Sequence, residues 1–501
     1  MEKTFLNFIS NIENPLNLEI NSLQKLNVKL NSFLEYVKLA NRSELKHISK
    51  IDGILRDMNA FLELSKIYDA NAYYYRDRNY ELYLLNKYQA LLNRVQAYAT
   101  EHTKQELEYF LHKTRETFYP LYPRLMNLLG VYYQLYEYDF SSAIEHYQSA
   151  INVLKGIDKV TFESQSSLSY EGTFRLFMNN MLDAMIRSPE PERYLKEIHL
   201  IRDYLFDSEA QISNEARLDI AELFAKMGKS KIASNLLSSI EMSKMENINF
   251  YYPQINRVKS IIALKTGNLS IGFDSVVKSF RLCFQVGKPI SQKTNMVTLF
   301  STINDLLTGI GLKERISMFK EKGFLDLIIN VLETKDRYLA IEHSKNVANL
   351  SLKLWKILGG DEKYYDHIYF SGLFHDIGKL SIPWLTLSKP FSLDNIDREI
   401  LRYHSLESYK LLNLLGFEEE AKVAGNHHER IDGSGYPLGK KNLTIDSEVV
   451  AIADVFQAAS SPNRNYKNPK GKEEILKEIE NDVNNNKFHR KIYEALLLAV
   501  K

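Results

Sequence analysis

Apolar residues recur along most of this chain at spacings of three, four and seven, which places them on one face of a helix. Leu218, Ala221, Leu223, Phe224 and Met227 form one such set. Little of the sequence alternates with period two, and glycine (21) and proline (12) are sparse for 501 residues. The pattern predicts an all-α chain. Residues 1–115 obey it as well, through Leu34, Val37 and Leu39 and then Ile54, Leu55, Met58, Phe61 and Leu62, but no repeat can be phased there.

Beyond that region the helices recur with a pattern. Ala221, Phe224, Gly228, Ala233, Leu237 and Ile240 mark one unit within Asn214–Glu241. Ser260, Ala263, Gly267, Gly272, Val276 and Ser279 repeat its offsets 39 residues on. An earlier unit shows in Leu129-Gly130, Tyr133, Ala143-Ile144, Tyr147 and Ala150-Ile151, with one extra residue in its turn. The small residues let two antiparallel helices approach closely, and the offsets resemble the tetratricopeptide repeat. Generic helical hairpins are the alternative. Either way a stack of helix pairs is expected, because one hairpin cannot bury its own apolar face. The tyrosines at 73–75 and 132–133 suit a concave protein- or peptide-binding groove or half-buried packing, and packing is the commoner role.

The repeat pattern stops near Gly309-Ile-Gly311 and Lys320-Glu-Lys-Gly323. The expected organisation is therefore a helical N-terminal region at 1–115, tetratricopeptide-like repeats at 116–310, a connector at 311–324 and a second helical domain at 325–501. Lys plus Arg (64) nearly balance Asp plus Glu (63), so no global field attracts DNA or a membrane. The lone Cys283 excludes an intrachain disulfide framework and a cysteine-based zinc module. No apolar run approaches the roughly 18 residues of a membrane span, and the polar start has no signal-peptide core. A cytoplasmic protein is expected, and a homodimer is left open.

The last third carries the chemistry. Seven of the twelve histidines lie between His343 and His489. In order, the landmarks are His343, His375-Asp376-Ile-Gly-Lys379, His404, His427-His428-Glu429, Asp432-Gly433-Ser-Gly435-Tyr436-Pro437 and Asp454. Asp454 interrupts an otherwise apolar helix, and a buried carboxylate needs a compensating cation or donor. Imidazole and carboxylate together suit iron, manganese and zinc. Five histidines and two aspartates can fill two six-coordinate sites once waters and a bridging carboxylate are added. A lone helical histidine is more often structural, and His367 and His489 are assigned to that role. Asp432-Gly433 and Tyr436-Pro437 alone would be turn chemistry. The joint order of the landmarks is what marks a site.

Residues from about 325 to 501 resemble the HD-GYP domain, a subgroup of the HD phosphohydrolase superfamily. The resemblance implies an all-helical domain that holds two or three metals, commonly iron or manganese, and hydrolyses cyclic di-GMP to the linear dinucleotide pGpG, and to GMP after a second cut. It implies His343, His375, Asp376, His404, His427, His428 and Asp454 as metal ligands, with Asp376 as bridge. Lys379 would contact a substrate phosphate beside Asp376, and Arg464 and Lys467 the second phosphate. Glu429 would orient a metal-bound histidine or brace the loop that runs through Asp432, Gly433, Gly435, Tyr436 and Pro437. Leu339 stands where three-metal members carry a glutamate, so two divalent ions are expected, iron before manganese. The sequence Phe456-Gln-Ala-Ala-Ser-Ser461 also departs from the family pattern without costing a ligand.

Gly359-Gly-Asp-Glu362 spells most of a diguanylate cyclase signature, but it joins two helices here and is expected to be a helix-stop turn. A metal-dependent phosphodiesterase for cyclic di-GMP, with the repeats for regulation or docking, is the leading reading. A tetratricopeptide adaptor whose C-terminal module binds nucleotide or partners with little turnover is one alternative. A phosphodiesterase for another cyclic dinucleotide is the other.

Overall fold

A computed structural model of the chain describes residues 2–12, 20–39, 47–166, 168–206, 214–240, 251–286, 289–308, 310–336, 342–389, 393–460 and 470–501. Every regular element among them is helical and no strand occurs, as the apolar spacing predicts. No helix among the described residues is long and apolar enough to cross a membrane. The chain divides into two compact units, one built from residues up to Leu299 and the other principally from Phe300–Lys501.

In the first unit the helices Tyr122–Tyr132 and Phe140–Lys155 pack as a pair, as do Asn214–Lys226 with Ser230–Ser238 and Tyr252–Lys265 with Leu269–Val286. The small residues have the expected effect. A Cβ at Gly130 would lie 2.6 Å from the Tyr147 ring, and one at Gly272 would lie 2.4 Å from Leu264, so each pair closes over a missing side chain. Gly228 and Gly267 end the first helices of their pairs at φ +72° and +79°. The extra residue of the earliest pair falls where the chain widens into a π-helical turn, Tyr133–Glu137, closed by the left-handed Tyr138. The region is thus a series of helical hairpins. Its tyrosines divide between roles: Tyr75 and Tyr132 are buried, while Tyr73 is 63% exposed.

Residues 311–324, expected as a connector, contain the helix Leu312–Glu321, which is built into the second unit. Its Phe319 ring meets Phe324 and Phe417 edge-on. Arg315 donates to the carbonyls of Leu307, Ile310, Leu415 and Gly416, closing the C-terminal ends of two helices at once. Buried cations and carbonyl caps are not visible in an apolar period, so the sequence did not show how this helix packs.

The second unit buries Val347, Leu350, Ile368, Val423, Val449, Ile452 and Phe456 in one core. Two glycines set how closely its helices meet. A Cβ at Gly372 would lie 2.8 Å from the Ala348 backbone, and one at Gly378 would lie 1.9 Å from the His404 carbonyl oxygen. Gly359, at φ +74°, ends its helix, and the Asp361 carboxylate accepts from the Lys363 N–H at 3.0 Å, so this segment is a turn between helices.

Candidate metal centre

Each of the seven predicted ligands comes from a helix or its immediate end. His343 opens the helix His343–Ile357, and His375 and Asp376 follow Tyr365–Phe374. His404 opens His404–Leu414, His427 and His428 follow Glu418–Asn426, and Asp454 lies within Ile445–Ser460. Helix ends are stiff points with the backbone already ordered, so little further entropy is lost in aiming a side chain inward.

The side chains converge in two triads. Ligand-competent atoms of His343, His375 and Asp454 lie within 4.8 Å of one another, and so do those of His404, His427 and His428. Asp376 stands between them: its Oδ1 is 3.1 Å from His404 Nε2 and 3.7 Å from His427 Nε2, while its Oδ2 is 3.4 Å from His375 Nε2. Asp454 Oδ1 is 3.3 Å from His343 Nε2 and 3.6 Å from His375 Nε2. All but His428 are buried.

Hydrogen bonds fix which ring nitrogens face inward. Nδ1–H of His375 donates to the Gly372 carbonyl at 2.8 Å, that of His404 to Leu401 at 2.5 Å, and that of His427 to Ala424 at 2.5 Å. A carbonyl only accepts, so a proton sits on Nδ1 and Nε2 points into the site. His375 Nε2 is buried with no hydrogen-bond partner. With neutral imidazoles, lone pairs would face carboxylate oxygens, acceptor against acceptor, a conflict that a proton or a divalent cation resolves. The donor set fits such ions: three side chains per triad plus one Asp376 oxygen leave open positions at each.

Electrostatics agree. Burial would lower the His375 pKa, but Asp376 and Asp454 outweigh it and push it up to about 10, so without an ion a proton stands on Nε2 where a cation would replace it. Burial and the neighbouring imidazoles of His375 and His404 hold His427 down at about 3, in its neutral, metal-binding form. Burial opposes ionisation of Asp376, yet Lys379 and His375 keep it a carboxylate, well below the usual range.

Lys379 Nζ is 2.7 Å from Asp376 Oδ2 and 2.9 Å from Asp336 Oδ2. Asp336 gave no signal in the sequence, because it lies 43 residues before Lys379 and outside any motif. Glu429 is wholly buried and its two oxygens accept from the backbone N–H groups of Leu438 and Lys440 at 2.8 and 3.0 Å. It thereby braces the loop. Asp432 is exposed and caps Ser434 N–H at 2.8 Å. A Cβ at Gly435 would lie 2.4 Å from Glu429 Cα, so this glycine lets the loop fold back on its own start. Tyr436 stacks on His428, ring centroids 4.6 Å apart, and the Tyr436–Pro437 bond is cis. Gly433 adopts φ +83°. Arg464, Lys467 and Leu339 lie outside the described residues.

The two histidines set aside as structural bond to carboxylates other than Asp376 and Asp454. His367 bridges Glu420 at 2.7 Å and Asp446 at 3.2 Å, and His489 bonds the buried Glu448 at 2.7 Å.

Comparison with known proteins bears on this unit alone. Residues 326–492 match the family model of the HD domain. The 3'3'-cGAMP-specific phosphodiesterase 1 of Vibrio cholerae is 36% identical over 174 residues, 34% of this chain and 40% of the relative. A cyclic di-GMP phosphodiesterase of Thermotoga maritima is 35% identical over 188 residues, 36% of this chain and 50% of the relative. One of Pseudomonas aeruginosa is 30% identical over 174 residues, 34% and 41% of the two chains. The chain thus spans half or less of these relatives. With both triads between His343 and Asp454, the matched segment encloses the whole centre, and residues 326–492 are an HD domain homologous to those of cyclic dinucleotide phosphodiesterases.

Proposed function

We propose that the chain is a metal-dependent phosphodiesterase acting on a cyclic dinucleotide, cyclic di-GMP or 3'3'-cGAMP. One observation carries this reading: two donor triads, buried except for His428, share the Asp376 carboxylate between them. His343, His375 and Asp454 would hold one divalent ion, His404, His427 and His428 the other, and Asp376 would touch both. Iron or manganese suits this oxygen–nitrogen donor set. When bound, such a pair supplies Lewis acidity toward phosphoryl oxygens and acidifies water.

The chain's own groups do the rest. The Nδ1–H bonds to Gly372, Leu401 and Ala424 aim the Nε2 atoms of three imidazoles inward before any ion arrives. Lys379, gripped by Asp336 and Asp376, sets a compact positive charge beside the shared carboxylate, where a non-bridging phosphate oxygen would enter. Glu429 and Gly435 hold the loop that carries Tyr436 against His428. Arg464 and Lys467 are proposed for the second phosphate on the family resemblance. The N-terminal hairpins are proposed as the regulatory or docking part, since both triads come from residues 343–454.

The test is turnover. The purified full chain, loaded with Fe(II) or Mn(II) without oxygen, is incubated with each cyclic dinucleotide and the products are separated by chromatography. Linear dinucleotide is expected. Tight binding with no turnover of either would favour the adaptor reading.

A further inference from the structure

Beside the centre lies a groove of about 580 Å³ lined by Asn395, Arg398, Glu399, Arg402, Tyr403 and Tyr436. That volume suits part of a small-molecule ligand. The helix Asn395–Arg402 runs directly into His404, so one wall is tied to the triad of His404, His427 and His428. The other wall is Tyr436, which stacks on His428. Arg402 lies over the outer part of that wall, its guanidinium carbon 5.4 Å from the Tyr436 ring centroid. A continuous run of ring, ring and guanidinium thus leads from the centre into the groove.

Arg398 and Arg402 are one helical turn apart, where like charges repel. Neither guanidinium has an ion pair among the described residues. Two exposed forks without carboxylate partners favour a ligand that presents acceptors. A second phosphate would supply them, but Glu399 shares the lining and would repel it. A guanine base satisfies the whole set. Its O6 and N7 accept a bidentate guanidinium, its N1–H and amino group donate to a carboxylate, and its face stacks on tyrosine. Adenine carries an amino donor in place of O6 and turns that contact repulsive.

We propose that this groove reads a guanine base of the substrate, through Arg398 and Arg402 on the O6/N7 edge, Glu399 on the adjoining N1–H and amino edge, and Tyr436 beneath the base once Arg402 has left the tyrosine face it covers. The proposal rests on the reading of the chain as a cyclic dinucleotide phosphodiesterase, and makes guanine in that groove its specificity determinant.

Calorimetric titration of the metal-free full chain with cyclic di-GMP and with cyclic di-AMP tests it apart from turnover. The wild-type chain should bind cyclic di-GMP roughly 10- to 100-fold more tightly. Arg402→Ala should bring the ratio close to one with an unchanged circular dichroism spectrum. Arg402→Lys keeps the charge but loses the fork. It should lose selectivity almost as fully. Equal binding of both nucleotides, binding of neither, or selectivity preserved in Arg402→Ala would overturn the proposal. Selectivity retained by Arg402→Lys would do the same, since it would assign the arginine to phosphate attraction alone. Hydrolysis of bis(p-nitrophenyl) phosphate by the Mn(II)-loaded wild-type chain is measured in parallel. Its absence with guanine selectivity intact would sink the enzyme reading and leave the groove, and the converse result would sink the groove alone.

Discussion

Both units bury charge, and they do so in opposite ways. In the first, Arg257 is paired with Glu222 through two bonds of 3.0 and 2.8 Å, and it also donates to Asn295. Gln254 donates to Asp219 at 2.7 Å, and Arg187 pairs with Asp183. Donor meets acceptor at each of these contacts; the Arg257–Glu222 and Gln254–Asp219 bonds tie one hairpin to the next, while Arg187–Asp183 lies within the helix Tyr170–Arg187. Burial opposes ionisation of Glu222, yet Arg257 and Arg187 hold it down at about 2. In the second unit, imidazole Nε2 atoms and carboxylate oxygens converge on one another, and His375 Nε2 is left without a partner. A buried polar network that closes on itself is architecture. One that closes only around a cation is a site.

The sharpest way to break that contrast is to remove the shared carboxylate. Asp376→Ala should lower turnover by about 10³-fold or more and cut metal content, while far-ultraviolet circular dichroism shows the helices intact. Wild-type turnover in that variant would overturn the centre. Lys379→Met should cost about 10²-fold in turnover and leave metal content unchanged by elemental analysis, because the lysine is not among the donors.

Opening the closed network should act on stability alone. Glu222→Gln strands the Arg257 guanidinium and should destabilise the first unit by about 3 kcal/mol in denaturant unfolding, with turnover per folded molecule unchanged. A parallel loss of turnover would erase the distinction between architecture and site.

The smallest effect is a pH dependence. Burial would lower the His367 pKa, but the hydrogen bonds and charges of Asp446 and Glu420 outweigh it and raise it to about 9. Its folded value lies above the unfolded value near 6.5. The stabilisation is therefore complete below about pH 6.5 and is lost as pH rises through about 9. His367→Gln should remove about 1–2 kcal/mol of stability at pH 6 and almost none at pH 10, seen as melting temperatures that converge with rising pH.

The helical class was legible because a 3.6-residue apolar period needs no knowledge of what it packs against. The candidate ligands were legible because imidazole and carboxylate are uncommon on apolar helices, and their order along the chain is distinctive. Arg398 and Arg402 were not, because exposed arginines on a helix are ordinary until Tyr436 is found opposite. The part played by Gly378 was not legible either, because its missing side chain is what admits the His404 carbonyl, 26 residues away in sequence. His367 was rightly set apart from the ligands, but its two carboxylate partners lie 53 and 79 residues away.

The sequence by itself determined that this chain is helical, that its first part is made of hairpins, and which seven side chains make up the candidate centre. Periodicity and residue type are local properties, readable without coordinates. Only the tertiary structure decided that Asp376 faces both triads, that Nδ1–H bonds aim Nε2 of three imidazoles inward, and that Asp336 holds Lys379. Those are relations between helix ends far apart in the chain. They are fixed by close approaches at Gly372 and Gly378 that no linear pattern encodes.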